Sequence, residues 1–252
     1  MKLNAKMLDE ICGNTRYKKR KSALVAFLDG RGYSISRLAE PHIMAQFLAQ
    51  VLHESGRMRY VKEVWGPTAA QRRYEGRKDL GNVRSGDGRR FSGLGLIQVT
   101  GRYNFRHLTA WVRAVLGANV DFEATPQELA KPEWLGAGAL WYWTERVPDK
   151  YIDSGDVEMV SRRVNGGRNG LDDRLDLYTR AGLVLLGYGA TDIHAFQQRA
   201  GITADGIDGP ATRGAIHLAL YARKATAKPP RAGTGVVGII AAIIAALFGG
   251  QK

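Results

Sequence analysis

Residues 41–56 read PHIMAQFLAQVLHESG. Ile43, Met44, Phe47, Leu48, Val51 and Leu52 recur at spacings of three and four, which predicts one buried helical stripe over 41–54. Pro41 suits the first turn, and Gly56 suits the exit. Glu54 then ends the helix, where the dipole disfavours a negative charge. A carboxyl that must keep its proton until a reaction calls for it is well placed there.

A second carboxyl, Glu63, follows nine residues later, and a Gly-rich stretch, SGLGLIQVTG, occupies 92–101. Two carboxyls across a cleft are the minimum for cutting a glycosidic bond. One protonates the leaving oxygen, and the other activates water or attacks carbon. A lone Glu at a helix end is ordinarily just solvated. Here the neighbouring Glu63, Gln98 and Thr100 and the glycines, which let backbone approach a ligand, weigh against that plain reading.

Working outward, helices are expected over 104–116, 126–130, 133–145, 157–164 and 171–186, with a loop and short strands over 81–101. Many helices and little strand predict an α+β, mainly α, fold. Trp134, Trp141 and Trp143 are candidates to stack on sugar, although an aromatic run in a helix is more often core. The histidines lack metal-ligand spacing, so no metal and no cofactor is expected.

The 252 residues allow one sizeable core plus a small appendage. Lys and Arg total 37 against 24 acids, a net charge of +13. Such a field favours anionic polymers. No nucleic-acid-binding module accompanies it, so no nucleic-acid partner is expected. Cys12 is the single cysteine, which excludes an intrachain disulfide. Residues 1–14 lack a continuous apolar run, so no ordinary secretory signal is read there.

Together these pieces resemble glycoside hydrolase family 19 (chitinase-like), in its compact phage and prophage endolysin form. They run in order over about 36–186: Phe47-Leu48-Ala49-Gln50 into His53-Glu54-Ser55-Gly56; Glu63; Tyr74-Glu75-Gly76-Arg77; Gly86-Asp87-Gly88; Gly95-Leu96-Ile97-Gln98-Val99-Thr100-Gly101 with Asn104; and Val164-Asn165-Gly166-Gly167 with Arg174. The resemblance implies a lysozyme-like, two-lobed catalytic domain. It implies Glu54 as general acid, Glu63 as general base and Thr100 as a holder of the attacking water. Gln98, Asn104, Asn165 and Arg174 would line sugar subsites or tie the base in place. It also implies inversion, with carboxyls about 6.5–9.5 Å apart. Glu75 is a rival base, disfavoured because the short spacing fits the compact members. Leu94 departs from the family, which usually carries a basic residue there.

Four zones follow: a catalytic domain over 1–187, a short helical module over 192–221, a basic Pro/Gly linker over 222–235 and a charge-free apolar tail over 236–248. The module's Asp205-Gly206-Ile207-Asp208-Gly209-Pro210-Ala211-Thr212 turn resembles that of helical peptidoglycan-binding modules, at about half their length. The tail's 13 or so residues make a helix of about 20 Å, short against a hydrocarbon core of about 30 Å. It is read as membrane-interacting.

The expected function is hydrolysis of β-1,4 bonds in peptidoglycan glycan strands, leading to host lysis. Chitin hydrolysis and a non-catalytic wall-binding or membrane-tethered protein are the alternatives. The enzyme would be made in the host cytoplasm and act on the cell wall as a monomer. The resemblance adds export through a holin-type pore, and the apolar tail is expected to contact the inner membrane.

Overall fold

A computed structural model describes residues 2–225 of the chain. The apolar tail and the linker beyond residue 225 lie outside the described residues. Among those described, the α-helices are α1 (Ala5–Cys12), α2 (Lys18–Phe27), α3 (Pro41–Glu54), α4 (Ala69–Arg72), α5 (Asp87–Arg90), α6 (Arg102–Leu116), α7 (Ala137–Arg146), α8 (Asp149–Asp153), α9 (Val157–Asn165), α10 (Leu171–Leu186), α11 (Ile193–Ala200) and α12 (Pro210–Ala225). The fold is thus mainly helical. The short strands expected over 81–101 reduce to two isolated antiparallel bridges, Lys62 with Leu94 and Leu94 with Val99. No helix among the described residues is long and apolar enough to cross a membrane.

The expected helices appear, with shifted ends. The stretch 126–134 forms two 3₁₀ turns, Pro126–Ala130 and Pro132–Trp134, in place of α-helix. Two prolines six residues apart deny the backbone the donors that a continuous α-helix needs. The aromatic helix α7 begins only at Ala137. Trp141 and Trp143 are buried. Trp134 is half-buried under the Arg31 guanidinium, 4.7 Å from its ring. The tryptophans of α7 are therefore core.

The described residues fall into two compact units, one of 2–15, 37–49 and 148–225, the other of 16–36 and 50–147. In the first unit α10 is the hub. Leu177, Tyr178, Ala181, Leu183 and Leu185 are all buried, and α1, α9 and α12 pack on it. Only Gly fits at position 182, because a Cβ there would stand 2.3 Å from Ile216 Cγ2 of α12. Thr179 of α10 donates to Asp208, and Gln197 of α11 bonds Asp205, Gly206, Ile207 and Thr212, so the 201–209 turn is pinned from both sides. Helix α12 runs to Ala225, four residues into the stretch read as linker.

The first unit also buries two histidines. His42 Nε2 lies 3.3 Å from Asp153 Oδ1 and 3.7 Å from Glu40 Oε2. His217 Nε2 lies 2.9 Å from the Asp153 carbonyl, and the two rings meet edge-on at 5.7 Å. Each Nδ1 is buried without a partner. Burial lowers both histidine pKa values from their ordinary value, outweighing the help that Asp153 gives. The unfolded chain therefore binds more protons than the folded one below about pH 6.5. Stability is expected to be complete above that pH and to fall as pH drops below it. Urea denaturation between pH 7.5 and 5 checks this; a flat profile would contradict it.

Candidate active site

Glu54 is half-buried at the last residue of α3. The chain then turns sharply. Gly56, Arg57 and Met58 take φ values of 55°, 54° and 72°, so two side-chain-bearing residues sit in the left-handed region. Three features hold this costly turn. Ser55 Oγ donates to the Val51 carbonyl and accepts from Met58 N–H, at 2.7 and 3.0 Å. Arg20 Nη1 donates to the carbonyls of Met58 and Arg59, at 2.8 and 2.6 Å. Met58 itself is fully buried. The turn redirects the chain towards Glu63, so the strain sits between the two candidate carboxyls.

Glu63 is held by three donors. Gly93 N–H donates to Oε2 at 2.9 Å, while Gln71 Nε2 and the Tyr74 hydroxyl donate to Oε1 at 2.9 and 3.4 Å. Its own N–H donates to the Gly93 carbonyl at 2.8 Å. Burial, with the Glu63 charge next in weight, raises the Tyr74 phenol above its usual range, so Tyr74 stays a donor. Gln71 is 5 % exposed and fully used. Its Oε1 accepts from Thr68 and Gly66 N–H, and its Nε2 also reaches the Val64 carbonyl. Sequence reasoning passed over Gln71. The usable signal was Thr68-x-x-Gln71, a capping-box spacing that the structure realises at α4.

The Gly-rich stretch supplies the facing wall. Gln98 takes φ 54°, and its Nε2 donates to the Gly95 carbonyl at 2.9 Å. Thr100 Oγ1 donates to the Gln98 carbonyl, and Asn104 Nδ2 donates to the Thr100 carbonyl, at 2.9 and 2.7 Å. Leu94, the departure from the family pattern, points inward and is buried. Gly93 brings the two sides together. A Cβ there would lie 2.7 Å from Gln98 Oε1 and 3.3 Å from Glu63 Oε2. Gly93→Ala is therefore expected to displace both groups. With Glu63 moved by a few tenths of an ångström and Gln98 swung aside, kcat is expected to fall by up to about 10²-fold, the cost of a full 1 Å misplacement. Steady-state kinetics with a parallel thermal melt would check it; wild-type kcat would contradict it.

Glu54, Glu63, Gln98, Thr100 and Asn104 thus belong to one unit. Tyr142 joins them: burial chiefly, and then the Glu54 charge, raise its phenol pKa against the lowering by Arg146. Asn165 and Arg174 belong to the other unit, where they meet on one carbonyl. Asn165 Nδ2 donates to Asn169 O at 2.8 Å, and the buried Arg174 Nε reaches it at 3.4 Å. The rival base Glu75 is committed elsewhere. Its two oxygens accept from Gly86 and Gly88 N–H at 2.6 and 2.7 Å. No group of three or more His, Cys, Asp or Glu that could hold a metal occurs among the described residues.

No family model matches the chain. A Haemophilus influenzae protein described as a glycosyl hydrolase family 19 domain-containing protein is 37% identical over 110 residues, which is 43% of this chain and 50% of that protein. The chain thus matches about half the length of this curated relative. Among solved structures, chitinase C from Streptomyces griseus HUT6037 superposes with a TM-score of 0.56 at 20% identity, covering 74% of this chain and 77% of that one. A bacterial family 19 chitinase gives 0.54 at 21% identity, covering 75% and 96%. A class IV family 19 chitinase from Zea mays gives 0.53 at 17%, covering 73% and 92%. The chain therefore has the fold of the family 19 chitinases.

Proposed function

We propose that the chain is an inverting glycoside hydrolase that cuts β-1,4 bonds in peptidoglycan glycan strands, with Glu54 as general acid and Glu63 as general base. The observation that carries this reading is the Glu63 carboxylate, fixed by three donors beside the Gln98–Thr100 wall and nine residues beyond a second Glu. Glu54 protonates the leaving oxygen. Glu63 takes a proton from a water attacking the opposite face of the sugar. Because the Thr100 hydroxyl proton is spent on the Gln98 carbonyl, its lone pairs are left to orient that water. Similarity to proteins described as chitinases and as a family 19 glycosyl hydrolase supports the reaction class. Glu75 is the weaker candidate for base because its carboxylate is turned to the Gly86–Gly88 segment, whereas Glu63 lies beside Gln98 across Gly93.

The substrate is argued from charge. A protein of +13 is attracted to a wall polymer bearing carboxylates and phosphates, whereas chitin is uncharged. Lysis of a bacterial host by an endolysin carrying a wall-directed module over 192–221 fits that substrate. Delivery to the wall through a pore made by another protein, and membrane contact by the tail, belong to the same proposal. The similarity to chitinases keeps chitin as the second reading.

Parallel digestion of purified peptidoglycan and of N-acetylglucosamine oligomers separates the two, with Glu54→Gln as the inactive control. New reducing ends from peptidoglycan at low salt, absent in the control, are expected. Release from the oligomers alone would move the enzyme to chitin. Release from neither would end the hydrolase reading.

A further inference from the structure

The unit that carries both carboxyls also holds an arginine-lined pocket that the reaction does not use. Its volume is about 260 Å³, and Arg84, Arg90, Arg102, Asp121, Glu123 and Ala124 line it. Its acids are already neutralised. Arg102, 7 % exposed, grips Asp87 through Nε at 2.9 Å and Nη2 at 2.5 Å, and reaches Glu123 at 3.1 Å. Arg106 adds two bonds to Glu123 at 2.9 and 3.0 Å, and Arg113 lies 3.3 Å from Asp121. Five guanidiniums (Arg84, Arg90, Arg102, Arg106, Arg113) thus face three carboxylates (Asp87, Asp121, Glu123), an excess of two positive charges.

The excess is greatest at Arg90, because the Arg84 charge also acts on Asp87, behind Arg102. Among the described residues neither Arg84 nor Arg90 has a carboxylate within salt-bridge distance. Arg90 Nη2 donates to the neutral Ala124 carbonyl at 2.7 Å, and its guanidinium lies 5.5 Å from the Phe91 ring. These contacts orient the fork without cancelling its charge, which leaves donors to spare for a planar bidentate acceptor. The pocket is also close along the chain to a donor of the candidate base. Arg90 is three residues from Gly93, whose N–H holds Glu63, so their Cα atoms are at most about 11 Å apart.

We infer that this pocket binds a carboxylate borne by the glycan substrate, either the free lactyl carboxylate of a muramic acid that carries no stem peptide or a carboxylate of the stem peptide itself, and so selects acidic wall glycan over neutral chitin. The inference rests on the peptidoglycan reading for its physiological ligand, but binding can be measured without catalysis.

The probe is N-acetylmuramic acid, compared with N-acetylglucosamine, which lacks the lactyl carboxylate. Each is titrated into the ¹⁵N-labelled full chain and followed by NMR. Expected are salt-sensitive shifts around residues 84–90 and 121–124 with the acid and none with the neutral sugar. The Arg84→Ala/Arg90→Ala double variant should lose affinity at least about tenfold. Both side chains are exposed, so its melting temperature should stay near wild type. A fold defect would redirect the test to Arg84→Gln and Arg90→Gln singly, which should each weaken binding. Equal response to both sugars, or unchanged affinity in the folded variants, would overturn the inference. Inorganic phosphate binding more tightly than the acid would overturn the carboxylate assignment. Carboxylate binding in a protein that digests no glycan would spare this pocket and refute the hydrolase reading instead.

Discussion

Exchanging Glu63 for Gln is expected to lower kcat by about 10²- to 10⁴-fold, the usual share of a general base. In the proposed mechanism, removing the charge removes the carboxylate that takes a proton from the attacking water. The amide also cannot satisfy its surroundings. Gly93 N–H lies on one side, and Gln71 and Tyr74 donate on the other, so the new NH₂ must face a donor whichever way it turns. That conflict adds a stability cost of about 1–3 kcal/mol. The two effects separate cleanly, since a folded protein with a modest drop in melting temperature and almost no turnover is expected. Steady-state kinetics beside a thermal melt would show it. A folded variant with more than a tenth of wild-type kcat would remove Glu63 from the base role and reopen the case for Glu75.

The second large effect is structural. Asp87→Ala is expected to destabilise the protein by about 3–5 kcal/mol, because it leaves a buried guanidinium short of its main partner. Asp87 is 1 % exposed and accepts from Arg102 and from Arg84 N–H. Its hydrogen bond from Arg102 is the main reason that its carboxyl stays below the usual range. Arg102 opens α6, and its N–H is tied to the Asn82 side chain at 2.9 Å. The network therefore fixes the first turn of the helix that carries Asn104, directly after Thr100. Glu123, held to about 2 chiefly by Arg106, cannot replace Asp87, since it already serves two guanidiniums. Because these carboxyls are depressed in the folded state, their contribution is full above about pH 4 and is lost as pH falls below it. Urea denaturation at neutral pH would measure the loss. A change under 1 kcal/mol would mean that Arg102 finds another acceptor.

Much of this was legible in the sequence, where local pattern decides structure. The stripe Ile43 to Leu52 specified α3 and placed Glu54 at its end, because a 3.6-residue period survives any tertiary context that buries one face. The helices around Phe105 and Leu177 were readable for the same reason. Features set by long-range contact were not. Gly136, just before α7, lies against α2, where a Cβ would stand 2.3 Å from Phe27 Cδ1, and nothing in the local sequence shows that contact. The strand pattern over 81–101 collapses to two bridges because Leu94 pairs with Lys62 on one side and Val99 on the other, with no neighbours to extend either ladder. The left-handed pair Arg57 and Met58 is held by Ser55 beside it and by Arg20 from α2, and the second contact cannot be read locally. Gln71 lay open to a capping reading, but nothing local says that the same side chain also holds the Glu63 carboxylate.

The most direct test of the two-carboxyl, inverting mechanism is the anomeric form of the first product. Soluble peptidoglycan glycan fragments would be mixed with wild-type protein and followed by proton NMR in real time, before mutarotation mixes the anomers. Cleavage of a β bond through a water held between Glu54 and Glu63 gives the α-anomer first. Initial appearance of the β-anomer would contradict it, because retention requires a covalent intermediate or an equivalent double displacement.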